Sequence, residues 1–321
     1  MPFNRDKMKA AAAALAARGV FIGTSSWKYP GWFGQLYERD RYIWCGKFSK
    51  ARFERNCLAE YAQVFKAVSL DAAFYQFPSR NWLEEMVSQV PADFKFGLKV
   101  TDTITIKTFP NLPRFGRRAG QPNEHFLNAD LFASAFLGAC EPFKSNIGPL
   151  MFEFSPFRGS DFARGREFVE ALDGFLGKLP RNWQYAVEIR NRNFLQPEYF
   201  AALARHGVAH VFSSWTDMPP VTDMPPVTEQ LALPGSQTNP SLLVARFLLR
   251  PGRKYEEAVK LFSPYEQIKD PYPEGRAAMS ELINRIRAGG DPTSSYIYLN
   301  NRFEGNALES IAAVLDETAM G

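Results

Sequence analysis

The sequence has few of the residues on which metal and nucleophile chemistry depend. Its three histidines, His125, His206 and His210, form no H-x-H or H-E-x-x-H spacing, which disfavours a zinc enzyme. Its three cysteines, Cys45, Cys57 and Cys140, are scattered, odd in number and never at metal-ligand spacing. Reduced thiols in a cytoplasmic protein fit that pattern, and a secreted disulfide framework does not. No stretch approaches the roughly 18 uninterrupted apolar residues of a membrane span. The Ala10–Ala14 run is short and follows Lys7 and Lys9, so residues 1–19 read as a helical extension ending at Gly19 rather than an export signal. An excess of one charge is also missing: 38 basic side chains face 34 acidic ones, a balance of +4. A preference for anions must therefore come from local clustering. Neither G-x-G-x-x-G nor G-x-S-x-G occurs, so a dinucleotide-binding open sheet and a nucleophile elbow both lack their motif.

What is present is alternation. Eight β-rich runs are evident: Val20–Thr24, Ala67–Asp71, Phe94–Lys99, Pro149–Phe154, Tyr185–Ile189, Val208–Ser213, Leu242–Phe247 and Ser295–Leu299. Helical spacing fills Arg52–Phe65, Asn81–Gln89, Leu127–Ala139, Phe162–Leu176, Pro197–Arg205, Pro273–Ile286 and Ala307–Glu317, and only the connection after the sixth run lacks an evident helix. Eight βα units are the number that closes a barrel, so the chain is expected to be α/β: a TIM-type (β/α) barrel of parallel strands, a single domain over 20–321. Helix-to-strand connections are short, whereas Ser25–Lys50, Val100–Phe126, Ser214–Ser241 and Leu248–Tyr272 are long. The elaborated end is the C-terminal mouth of the strands, where such barrels carry their chemistry. Within one long loop, T-D-M-P-P-V occurs twice in tandem, at Thr216–Val221 and Thr222–Val227, and reads as a stiff, locally duplicated insertion.

Four separated motifs carry a resemblance. They are Gly23-Thr24-Ser25-Ser26-Trp27 with Tyr29-Pro30-Gly31-Trp32; Asp71-Ala72-Ala73-Phe74-Tyr75 with Pro78; Tyr185 to Arg190; and Tyr296 to Asn301. In that order they resemble the YecE-like family, barrel proteins of unknown function, over about Phe21 to Leu315. The resemblance implies a TIM barrel with a pocket at the strand ends and implies no activity. Relative to the family pattern, Ser69 and Asp71 stand where Glu-x-Asn is usual, and Glu153-Phe154-Ser155 replaces Gln-x-Pro. Asn191 replaces a histidine, and Ala245-Arg246-Phe247 lacks a tyrosine.

Residues two apart on a strand share a face, so Glu188 and Arg190 point the same way. Lys99, Glu153, Arg246, Asn300 and Asn301 are expected beside them, with Ser26, Trp27, Asp71 and Tyr75 close by. Glu153 and Glu188 are the candidate catalytic pair, because two carboxylates with split pKa values serve as acid and base. No cofactor is expected, although the same two carboxylates would suit a divalent cation. Arg190, Arg192, Arg246, Arg250 and Lys99 are expected to converge on one opening, with Lys107, Arg114, Arg117 and Arg118 on the third loop. Guanidinium forks match phosphate and carboxylate. The leading expectation is thus a pocket that binds a phosphorylated or otherwise anionic small molecule, with hydrolysis by the Glu153–Glu188 pair as the reaction it would support. The alternative is a non-catalytic nucleotide or nucleic-acid binding module, whose bases stack on Trp27, Tyr29, Trp32, Phe74, Tyr75 and Trp215. A third reading is an ion-pair network that only neutralises polar groups at the top of the barrel.

Overall fold

Strands of four to eight residues, almost entirely buried, pair edge to edge in the computed structural model, which describes residues 3–214, 227–289 and 293–319. They are β1 (Val20–Thr24), β2 (Ala67–Leu70), β3 (Lys95–Lys99), β4 (Ile147–Phe154), β5 (Tyr185–Ile189), β6 (Ala209–Ser214), β7 (Leu242–Phe247) and β8 (Ser294–Leu299). Every pairing is parallel, and β8 returns to β1 in register from Val20↔Ser295 to Thr24↔Leu299, closing an eight-stranded barrel. The expected TIM-type architecture is therefore present, with strand limits displaced by at most two residues.

Side chains alternate between two cores. Outward-facing residues join the helices in a large cluster that includes Ile22, Phe96, Phe152, Val187 and Leu299. Each such ring or branched chain withdrawn from water contributes about 1.5–3 kcal/mol. Inward-facing Ala67, Met151, Ala186, Val211, Val244, Tyr296 and Tyr298 fill the barrel. Tyr298 spans the interior so closely that a Cβ on Gly97 would lie 2.4 Å from its hydroxyl oxygen. Only glycine fits that place on β3. Two residues further along each strand, the inward face turns polar: Lys99 follows Gly97, Glu153 follows Met151, Glu188 follows Ala186, Ser213 follows Val211 and Arg246 follows Val244. The period-two geometry of a strand thus stacks a charged layer directly on an apolar plug.

Helices begin where the sequence supplies a cap. The Asn4 side chain accepts from the Lys7 amide at 2.9 Å ahead of Arg5–Ala16, and the Ser79 hydroxyl accepts from the Trp82 amide at 3.2 Å ahead of Arg80–Val87. Some expectations need correction. The connection after β6 carries a short helix, Val227–Ala232, and that after β7 contains Tyr255–Phe262. The expected helix at 127–139 is interrupted by a π-turn over Phe132–Leu137. A small hairpin, Ile43–Trp44 with Lys47–Phe48, interrupts the first long loop. Trp215 and the tandem T-D-M-P-P-V segment, up to its last residue, lie outside the described residues.

Candidate functional site

The mouth holds a closed ionic network built from four strand ends and one loop. Glu153 and Glu188 are register partners on β4 and β5, so their side chains stand together. A single oxygen of Glu153, Oε2, is 2.8 Å from each of Lys99 Nζ, Arg190 Nη2 and Arg246 Nη1. Glu188 accepts from Arg190 Nε at 3.2 Å, from Ser213 Oγ at 3.3 Å and from Arg246 Nη1. Asp71, just beyond β2, lies 3.6 Å from Lys99 Nζ and 3.7 Å from Arg246 Nη2. Three carboxylates thus face three cations, and the network carries no net charge.

Burial makes these contacts consequential. Glu188 is fully buried and Arg246 is 2% exposed. Burial alone would raise the Glu153 carboxyl, but Arg190, Lys99 and Arg246 outweigh it and hold the group well below the usual carboxylate range. For Arg246, burial opposes the charge, and Glu188, Glu153 and Asp71 restore it. Glu153 is therefore a permanent anion near neutral pH. It has no proton to give, so it fits a counter-ion and not a general acid. Lys99 and Arg190, at the ends of the strands to either side, both contact it.

Other candidates separate from this cluster. Asn300 Oδ1 accepts from the Arg302 amide at 2.9 Å, and Asn301 Oδ1 accepts from the Ala307 amide at 2.7 Å at the start of the helix Ala307–Ala319. Both shape the last turn. Trp27 is 6% exposed, packed into the outer core, and accepts from the Tyr37 hydroxyl through its carbonyl at 2.5 Å. The Ser26 carbonyl takes the Thr24 hydroxyl at 2.6 Å. Tyr75 stands out at the rim with 64% of its surface exposed. The expected convergence of five basic residues reduces to three. Arg192 lines a separate cavity with Leu195, Gln196 and Glu229, and Arg250 pairs with Asp270 at 3.5 Å. Sequence reasoning passed over Ser213, although its position two residues beyond Val211 was the available signal.

His210 is a core residue on β6, beside Tyr199 Oη at 3.2 Å and the Gln230 side chain at 3.3 Å. Burial lowers its pKa to about 4, so it is neutral. Among the described residues, no group of three or more His, Cys, Asp or Glu could hold a metal ion, and no helix is long and apolar enough to cross a membrane. Glu153 Oε2 and both oxygens of Glu188 face guanidinium and ammonium groups. A cavity of about 760 Å³ lies away from the mouth, between the N-terminal helix and Ala307–Ala319, lined by Met8, Ala11, Ile268 and Ala312 among others.

A family profile described as "Protein of unknown function DUF72" matches residues 21–320. The chain belongs to the DUF72 family. Its YecE-like motifs are those of this group. The DUF72 fold recurs in the crystal structure of a DUF72 family protein from Enterococcus faecalis V583, with a TM-score of 0.63 at 19% identity over 95% of this chain and 98% of that one. A DUF72 family protein from Thermotoga maritima MSB8 gives 0.58 at 19% identity, over 94% and 98% of the two chains. At that identity the likeness concerns the DUF72 fold alone. No functionally curated protein matches the chain.

Proposed function

We propose that the mouth of this DUF72 barrel binds an anionic small molecule, phosphorylated or carboxylated, in the place where Asp71 stands. One observation carries the reading. Lys99 Nζ and Arg246 Nη2 flank Asp71 Oδ1 at 3.6 and 3.7 Å, too far for hydrogen bonds, and this buried oxygen has no hydrogen-bond partner among the described residues. A buried acceptor left in that state is costly. The Asp71 side chain is also the exposed member of the network, at 39%, whereas Glu153 and Glu188 are sealed beneath it. A ligand anion that displaces it would meet one unit of uncompensated positive charge and two donors already held in position by Glu153 and Glu188.

Asp71 is then a competitor for the site. Calorimetric titration with inorganic phosphate and with malonate tests this. Asp71→Asn should tighten binding by roughly tenfold or more, and Lys99→Ala should abolish it. An Asp71→Asn protein that binds both probes no better than the parent would overturn the reading. Hydrolysis through a Glu153–Glu188 acid and base pair gains no support, because Glu153 is held ionised.

A further inference from the structure

The ligand's class is written in what lies beside the anion site. Asp71 is followed at once by the short helix Ala72–Tyr75, so Phe74 and Tyr75 sit next to the carboxylate. Phe74 is buried, and its ring lies 4.2 Å from Lys99 Nζ. Tyr75 does the opposite: 64% of it is exposed, at the rim of the mouth. From the third βα loop, Arg114 places its guanidinium carbon 5.1 Å from the Tyr75 ring, 5.9 Å from Phe74 and 4.3 Å from Phe115.

The charge accounting differs between floor and rim. On the floor each cation faces carboxylates. On the third loop, Arg118 lies 4.7 Å from the Phe109 ring and Lys107 lies 4.2 Å from that of Phe162. Arg114 has three rings around it and, among the described residues, one paired carboxylate, Asp102, at 3.4 Å. Aromatic faces stabilise a cation without cancelling its charge. The field that draws in an anion thus comes from the rim, and it surrounds an exposed ring.

Resting on the anion site proposed above, we infer that the ligand is a nucleotide, with its phosphate on Lys99 and Arg246 and its base stacked on Tyr75 beside Arg114. The two ends lie within reach of one ligand. Lys99 Nζ and the Arg114 guanidinium carbon both lie against Phe74, at 4.2 and 5.9 Å, so they are no more than about 10 Å apart. A nucleoside monophosphate covers that span between phosphate and base. A base, unlike a sugar, offers a flat π-face to both a tyrosine ring and a guanidinium plane. The same chemistry is presented by a free nucleotide and by the 5′-phosphorylated end of a single strand.

The experiment titrates the full chain with inorganic phosphate, ribose 5-phosphate, AMP and CMP, and with short single strands carrying a 5′-phosphate or a 5′-hydroxyl. AMP and CMP should bind roughly tenfold or more tighter than ribose 5-phosphate, which lacks only the base. Tyr75→Ala should erase that difference while leaving phosphate and ribose 5-phosphate unchanged, and Tyr75→Phe should preserve it. Tyr75 is exposed, so these variants leave the fold intact. Equal affinity for AMP and ribose 5-phosphate overturns the nucleotide and spares the anion site. Tight AMP binding that Lys99→Ala does not weaken overturns the anion site instead. A phosphorylated strand that binds more tightly than AMP identifies a strand end as the source, and a strand that binds less tightly identifies the free nucleotide. Equal binding of 5′-hydroxyl and 5′-phosphorylated strands overturns the assignment of the phosphate.

Discussion

Glu153→Gln isolates what the charge at the centre of the network contributes. The substitution keeps the shape of the side chain and one acceptor oxygen, and it removes the charge that faces Lys99, Arg190 and Arg246 at 2.8 Å each. Removing one charge from a buried ion-pair cluster typically costs about 3–5 kcal/mol. The acceptor oxygen that Gln retains keeps the loss near the lower end, about 3 kcal/mol at neutral pH. With an unfolding entropy of about 2.1 cal/mol/K per residue, a chain of 321 residues loses about 1.5 °C for each kcal/mol, so the melting temperature should fall by about 4–5 °C. The pH dependence has a definite sign. Glu153 is held below its ordinary value of 4.5 in the folded protein, so its stabilisation is complete above that pH and drains away as pH falls below it. Melting curves of the two proteins should stay separated from pH 8 to pH 5 and converge on further acidification. Equal melting temperatures at pH 7, or a gap that persists unchanged in acid, would refute the ion-pair account. Glu153→Gln should also bind phosphate more tightly, since it leaves the floor with an uncompensated cation.

Two further outcomes follow from the barrel itself. His210 is neutral when folded, with a pKa of about 4 against its ordinary 6.5, so the unfolded chain takes up the extra proton between those values. Stability should fall by about 3 kcal/mol as pH drops through that window, and His210→Gln should flatten this part of the denaturant-midpoint profile; an unchanged slope would show that the imidazole is charged in the fold. Gly97→Ala should destabilise by about 1–3 kcal/mol through its collision with the Tyr298 hydroxyl, and adding Tyr298→Phe should restore part of the loss in a double-mutant cycle. Additive effects of the two changes would place the strain elsewhere.

The barrel was legible because its strands are apolar runs whose flanks change character abruptly, and all eight appear within two residues of their expected limits. The helix Val227–Ala232 was not, since it starts on the last residue of the proline-rich tandem segment and is only six residues long. The hairpin at 43–48 was hidden for a different reason. Its turn places Cys45 at φ 49° and Gly46 at φ 76°, both left-handed, and Cys-Gly does not advertise such a turn as Asn-Gly would. For the site, strand parity made Glu188, Arg190 and Glu153 visible. Parity loses its meaning two or more residues past a strand end, which is why Trp27 and Asn301 were grouped with the ionic cluster although one packs outward and the other holds a helix. The pairing of Arg250 with Asp270 depends on loop geometry that no spacing rule encodes.

The ionic layer also constrains how this chain can drift over generations. Each member answers to two or three partners, so a single change strands a buried charge, whereas two complementary changes restore neutrality. Replacement at the mouth is thus expected to proceed by exchange, an acid lost at one strand end as another is gained next door. Set against the Glu-x-Asn and Gln-x-Pro that the YecE-like resemblance leads one to expect, Ser69 and Glu153 have the form of such an exchange, one acid lost and one gained, and Asp71 adds a further acid. Orthologues that differ at one of these places should differ at a second.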